Sequence, residues 1–102
     1  MIIKVEIYKT KMVLVHAGQQ VTAYPTQQYT TTRLLVGTFL PAVECLKDGL
    51  TQIGATGFFK SKPKLQIEAK ELAEGGLSEV EQRCLQELGL AAGALKVELL
   101  LT

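Results

Sequence analysis

A chain of 102 residues, with 47% apolar and 21% charged side chains, has the composition of a globular protein that forms one domain, residues 1–102. Its net charge of +1 provides no overall field for nucleic acid or an anionic membrane, so we expect neither as a partner. The chain shows no basic-then-apolar leader and no run of roughly 18 apolar residues. These features predict a cytoplasmic protein without an integral membrane segment.

Three short strands are predicted in the first quarter of the chain. Apolar and polar residues alternate over residues 3–7, which is the period of a half-buried strand. The same period of two continues over residues 12–16, with Met12, Leu14 and His16 on one face and Val13 and Val15 on the other. A third strand, residues 20–24, follows a glycine turn and stops at a proline. Short strands joined by tight turns predict an antiparallel meander. Residues 26–36 have no clear period, and we expect them either to extend the third strand or to form an irregular crossover.

A helix, a strand and a second helix are predicted next. The first helix begins at Thr38 as N-cap and ends at Gly54, and it carries an apolar stripe at spacings of three and four. Alternation over residues 65–69 predicts the fourth strand. Ser78 and Glu81 have the spacing of a capping box, in which each side chain accepts a hydrogen bond from the backbone N–H of the other residue. The buried stripe predicted for this second helix comprises Val80, Cys84, Leu85, Leu88 and Ala92.

A fifth strand, residues 95–101, completes the element order βββαβαβ and predicts an α/β fold with a mixed five-stranded sheet and two main helices. Because a helix connects strands four and five, these strands should be parallel and joined by a right-handed crossover. Strand one should be central, with the meander on one side and strands four and five on the other. This layout resembles a ribonuclease-H-like half domain.

Residues that usually carry catalysis are sparse. His16 is the single histidine, and it has no companion residue at the spacing of a catalytic triad. Cys45 and Cys84 lie 39 positions apart in helical segments without a CxxC motif, which favours two buried free thiols. We therefore predict neither a metal site nor a cofactor. Phe58 and Phe59 adjoin a basic stretch, where they either form a contact site or pack under the loop.

The last third of the chain resembles the bacterial actin MreB, the rod-shape-determining family. The resemblance covers residues 63–101 and is carried by Pro63-Lys64-Leu65, by Val80-Glu81-x-Arg83 and by Gly89-Leu90-x-Ala92-Gly93-Ala94-x-Lys96-Val97-x-Leu99. The corresponding family segments read Pro-Arg-Val, Val-Glu-Arg-Arg and Gly-x-x-Ala-Gly-Ala-x-x-Val-x-Leu-Ile. The resemblance implies the first large subdomain of an actin-like fold.

The nucleotide site that the resemblance implies is incomplete in this sequence. The family's first phosphate hairpin reads Asp-Leu-Gly-Thr, where the glycine lets backbone N–H groups approach the anion. Here the stretch runs from Glu6 to Thr10, and the bulky Tyr8 stands in place of the glycine. We expect the second phosphate loop to be missing, because the chain stops at Thr102. The resemblance therefore implies vestigial nucleotide-site positions at Glu6, Thr10 and Glu81, and no ATPase activity.

Two functions follow as hypotheses. The first is a non-catalytic, MreB-related protein that acts in cell-shape or division machinery by contacting a protein partner or by forming a homodimer. Its candidate interface is the apolar last strand, with Leu95, Val97, Leu99 and Leu101, because an exposed strand edge recruits another strand. The alternative is a small-ligand or nucleotide-binding protein that uses the cleft at the carboxyl ends of the strands.

Overall fold

The computed structural model describes residues 1–55 and 61–101, and there it has the predicted elements in the predicted order. Phe58 and Phe59, for which a contact site and packing under the loop were the alternatives, lie outside the described residues. The elements are β1 (Ile2–Ile7), β2 (Met12–His16), β3 (Gln19–Ala23), α1 (Phe39–Gln52), β4 (Lys64–Ala69), α2 (Glu79–Ala91) and β5 (Lys96–Leu99).

The strands form one mixed sheet in the order β3-β2-β1-β4-β5. β1 pairs antiparallel with β2, which pairs antiparallel with β3, whereas β1–β4 and β4–β5 are parallel. The central position of β1 and the parallel pairing of β4 with β5 are thus confirmed. Segment 26–36 forms no strand and crosses irregularly to α1, which was one of the two expected outcomes.

Both helices cover the same face of the sheet. α1 lies over β2 and β3, α2 lies over β4 and β5, and the two helices contact each other. Apolar residues that alternate along the strands fill the core beneath them; the largest fully buried ones on the strands are Ile3, Val5, Ile7, Met12, Leu14, Leu65 and Ile67. The helices contribute Leu46 and Leu50 from α1 and Leu88 from α2. The result is a two-layer α/β domain in which no described helix covers the second face of the sheet, called the uncovered face below.

Burial differs from the predicted pattern at three positions. Val13 lies on the uncovered face of the sheet, yet only 7% of its surface is exposed. Val80 was predicted in the buried stripe of α2 and is 79% exposed, because it lies in the first turn, where α2 extends beyond the core. Cys84 is half-buried, whereas Cys45 is buried as expected.

The bounds of two elements also differ. β5 has four residues, so Leu95 precedes the strand and Leu101 follows it; the prediction of a strand over residues 95–101 was too long. Thr38 is the N-cap of α1, but its side chain makes no capping hydrogen bond. The capping box of α2 is confirmed in full: Glu81 N–H donates to Ser78 Oγ, and Ser78 N–H donates to Glu81 Oε1, both at 3.2 Å.

Gly89 determines how closely α2 approaches the edge of the sheet. A Cβ atom at this position would overlap Val97 Cγ2 on β5 and would lie 3.2 Å from Ile67 Cδ1 on β4. The missing side chain therefore lets the helix backbone rest directly on the two outermost parallel strands. Because α2 is the only described element that covers β5, this contact holds the edge strand in place.

We predict that Gly89→Ala destabilises the protein by about 1–3 kcal/mol, because the added methyl group must push α2 away from Val97. The higher helix propensity of alanine offsets at most about 1 kcal/mol of this loss. Urea unfolding followed by circular dichroism measures the change, with Gln86→Ala on the exposed side of α2 as the matched control. Equal stability of the two variants would contradict the close approach.

Candidate functional site

The turn between β1 and β2 occupies the position of the phosphate hairpin that the family resemblance implies. It is closed by a hydrogen bond of 2.9 Å from Tyr8 N–H to Lys11 O. The Lys11 ammonium group lies over the Tyr8 ring, 5.1 Å from its centroid, within the range of a cation–π contact. Thr10 is exposed at the tip of the turn. Tyr8 is therefore an integrated part of the turn, at the position where the family places a bare glycine.

A carboxylate of the chain itself lies against this turn. Lys9 N–H donates to Glu71 Oε1 at 3.2 Å, and the Lys9 ammonium group lies 3.9 Å from Glu71 Oε2. Glu71 follows β4, so the parallel pairing of β1 and β4 brings the two segments together. A backbone N–H of the hairpin thus already binds an anionic group, which would repel a phosphate at the same place.

Tyr29 fixes the same turn from the side of the core. Its ring is fully buried, and its hydroxyl oxygen lies 2.5 Å from Tyr8 O and 2.8 Å from Lys11 O. The hydroxyl has one hydrogen, so it donates to one of the two carbonyl groups at a time. Burial, and secondarily the nearby Cys45 and Glu71, raises the pKa of the Tyr29 hydroxyl far above its ordinary value near 10.

The uncovered face of the sheet carries a cluster of four alternating charges. Glu6 on β1 is directly opposite Glu68 on β4, and Lys4 and Lys70 each contact both carboxylates at 3.4–3.6 Å. The two glutamates, above all Glu68, raise the pKa of the Lys70 ammonium group. Glu6, a vestigial nucleotide-site position by the resemblance, is thus paired with two lysines that it shares with Glu68. In the described part of the chain, no group of three or more His, Cys, Asp or Glu residues is placed to hold a metal ion.

Glu81, the third vestigial position, lies far along the chain from the turn and belongs to the N-terminal cap of α2. One of its carboxylate oxygens accepts the hydrogen bond from Ser78 N–H, which completes the capping box. The side chain also lines an apolar cavity of about 240 Å³ between the start of α2 and the segment before α1. The other walls of this cavity include Leu34, Val36, Leu77 and the half-buried Cys84.

A second, larger cleft lies at the carboxyl ends of β1 and β4. It has a volume of about 510 Å³ and is lined by Lys9, Arg33, Lys70, Glu71, Leu72 and Glu74. Lys9 and Lys70 are already paired with carboxylates, whereas Arg33 makes no ion pair with any described residue. The cleft therefore combines cations with acids that compete for them, and this is the place where the alternative hypothesis puts a small ligand.

The candidate interface residues converge on the outer edge of the sheet. β5 has only β4 as a neighbour among the described strands, so its other side is open. Leu95 and Leu101, on either side of β5, are 62% and 57% exposed. Val97 and Leu99 are half-buried and pack against the core from the face that α2 covers. The structure thus brings all four predicted residues to one edge, but only two of them lie within the strand.

Three features of these sites were not predicted from the sequence. Tyr29 lies in the segment without a period, and Glu71 lies between the predicted fourth strand and second helix, where no element was predicted. The cavity beside Cys84 depends on how the chain before α1 packs against α2. A single aromatic residue in the otherwise polar stretch 26–33 was the available hint for Tyr29.

The comparisons with known proteins leave the family undecided. The sequence matches no protein-family model, and a search of the curated proteins finds no match either. Neither of the described helices, which have 14 and 13 residues, is long and apolar enough to cross a membrane. The MreB resemblance therefore remains a prediction.

We predict that Tyr29→Phe lowers the free energy of unfolding by about 1–2 kcal/mol at pH 7, because two carbonyl groups of the turn lose their donor. The folded chain favours the neutral hydroxyl, whereas the unfolded chain ionises it near pH 10. Stability of the parent protein should therefore fall as the pH rises above about 10, and Tyr29→Phe should lack this part of the decline. Urea midpoints at pH 7 and pH 10.5 measure both effects.

The matched control is Tyr24→Phe, since the Tyr24 ring is 66% exposed. Burial raises the pKa of Cys45 to about 11, so this thiol also lowers stability at alkaline pH. Because Cys45 is present in both variants, its effect cancels in the comparison. If Tyr29→Phe behaves like Tyr24→Phe at both pH values, the hydroxyl does not hold the turn.

Proposed function

We propose that this chain is a non-catalytic, MreB-related protein that acts in the cytoplasm through protein–protein contact, by self-association or by binding another component of cell-shape or division machinery. The observation that carries the proposal is the open edge of the sheet at β5. There an unpaired strand is flanked by two exposed leucines, Leu95 and Leu101. Strand edges of this kind recruit a further strand, which supplies the missing hydrogen bonds and covers apolar surface.

The backbone geometry of β5 supports the proposal. Leu100 N–H donates to Ile67 O at 2.8 Å, on the side of β4. Backbone groups of successive residues in a strand point to alternate sides, so Glu98 faces β4 as well. Val97 and Leu99 consequently direct their N–H and C=O groups away from the sheet. An incoming strand would find two residues with free donors and acceptors.

The turn after β1 supports the absence of ATPase activity. Glu71 places a carboxylate on the backbone N–H of Lys9, and Tyr8 stands where the family has glycine. A phosphate at this turn would have to displace the internal carboxylate and approach past a tyrosine side chain. Both effects oppose nucleotide binding, and neither depends on where the chain ends.

The proposed relationship to MreB is supported by the strand order. The sheet order β3-β2-β1-β4-β5, with the meander on one side of β1 and parallel strands on the other, is the layout that the resemblance implies. The residues of the resemblance lie on β4, α2 and β5, which form one side of the domain. Among them is Gly89, whose missing side chain allows α2 to rest on Val97.

The alternative proposal, a small-ligand or nucleotide-binding protein, is favoured by the cleft of about 510 Å³ at the strand carboxyl ends. Arg33 is the cation in that cleft without a described carboxylate partner, so it would meet an anionic ligand. This proposal requires that ATP with magnesium raises the melting temperature, and that Arg33→Gln abolishes the rise.

We predict that light scattering behind a sizing column finds a mass that rises with protein concentration toward a dimer and is unchanged by ATP with magnesium. We expect nucleotide to have no effect because the interface is at β5, which β4 separates from β1 and its turn. A monomer at every concentration would overturn self-association. Assembly or compaction that occurs only with nucleotide would overturn the non-catalytic proposal.

A matched pair of leucine variants locates the interface. Leu95→Lys places a charge at the open edge and should weaken the dimer, since Leu95 loses its apolar contact with the partner. Leu40→Lys introduces the same change on α1, which lies over β2 and β3 at the other side of the sheet. Leu40 is 70% exposed, comparable to Leu95, so both variants should fold. Equal dimerisation of the two variants would place the contact elsewhere.

A further inference from the structure

We propose that the partner of β5 is the β5 strand of a second copy of this chain, paired antiparallel about a twofold axis with Val97 opposite Val97 of the second copy. The proposal rests on the proposed contact function and names the partner and the register of that same edge.

Backbone alternation limits the registers that a twofold pairing can use. Val97 and Leu99 carry the outward N–H and C=O groups, so in an antiparallel pair they must meet outward-facing residues of the second strand. This condition holds only when the twofold axis passes through a residue, so that this central residue lies opposite its own copy. Within the strand, the possible centres are Lys96, Val97, Glu98 and Leu99.

The charges select one of these registers. Lys96 and Glu98 point to the uncovered face, where Glu98 Oε1 accepts a hydrogen bond of 3.2 Å from Gln66 Nε2. A centre at Lys96 or at Glu98 places two like charges directly opposite each other, which is unfavourable. A centre at Leu99 leaves both charges without a charged residue opposite. The centre at Val97 places Lys96 opposite Glu98 of the second copy, twice.

The other face of the same pairing is apolar. Leu95 lies just before the strand, and its N–H donates to Pro63 O at 2.8 Å. With Val97 opposite its equivalent, Leu95 of one copy therefore meets Leu99 of the other through its side chain, and the backbone hydrogen bonds of the pairing come from Val97. Leu95 is 62% exposed in the single chain, whereas Val97 and Leu99 are half-buried under α2. The two copies would thus extend the helix-covered side of the sheet and shield the most exposed leucine at the edge. One strand pairing supplies hydrogen bonds, apolar contact and two ion pairs.

Charge reversal tests the register in the full chain. Lys96→Glu and Glu98→Lys each convert both opposite-charge pairs into like-charge pairs, and each should raise the dimer dissociation constant roughly tenfold. The double variant K96E/E98K restores both pairs in exchanged positions and should return to within roughly threefold of the parent. Sedimentation equilibrium measures the constants, and circular dichroism checks that each variant is folded.

Cysteine cross-linking gives a second readout that does not depend on affinity. Residues directly opposite in an antiparallel pair have Cα atoms about 5.5 Å apart, which a disulfide can span. Under mild oxidation Val97→Cys should form a covalent dimer, whereas Leu99→Cys, which faces Leu95 of the second copy, should not. The parent protein, with Cys45 and Cys84, is oxidised in parallel as the control.

The outcomes separate this proposal from the proposed function. Single reversals without effect, no rescue in the double variant, or cross-linking at Leu99 instead of Val97 would overturn the register. If the parent dimer still responded to Leu95→Lys in that case, contact at the β5 edge would stand. A parent that is monomeric at all concentrations would overturn both self-association and the paired strands.

Discussion

The structure depends on the burial of one face of the sheet. Both helices lie on that face, so the strands direct most of their large apolar residues toward it, and the parallel pairing of β1 with β4 aligns these residues at the centre. Ile3 lies beside Leu65 and Val5 beside Ile67, and all four are essentially inaccessible to solvent. A shift of register by one residue would exchange this core with the charged face, which is why the pairing is firmly specified.

The same constraint explains the chemistry of the uncovered face. On β1 and β4 this face carries charged side chains, and their placement in adjacent strands brings opposite charges into contact. Lys4 and Lys70 each contact both Glu6 and Glu68. These ion pairs offset the repulsion between the two glutamates, which lie side by side on parallel strands. Glu6 thus has a structural role that follows from strand pairing alone.

The sequence predicted much of the fold because its signals are local. Strand alternation, helical stripes and the Ser78–Glu81 capping box depend on residues close together in the chain, and the strand order follows from the crossover rule. Features that depend on contacts between distant segments had no such signal. Tyr29 reaches the turn across 21 positions, and Glu71 reaches Lys9 across 62. Val80 was misplaced because helical period alone does not show where a helix extends beyond its core.

The candidate interface was predictable to the same degree. The apolar content of the last strand made it the candidate interface, but the choice of partner depends on which backbone groups point outward, and that requires the register with β4. The other edge strand, β3, presents Gln19, Gln20 and Thr22, polar side chains without opposite charges to match. β5 differs because it alternates apolar residues with one lysine and one glutamate. Charged residues on an edge ordinarily discourage pairing with arbitrary strands. Two opposite charges placed symmetrically about Val97 discourage arbitrary strands while matching a second copy of the same strand, so the two residues that protect the edge would also select its partner.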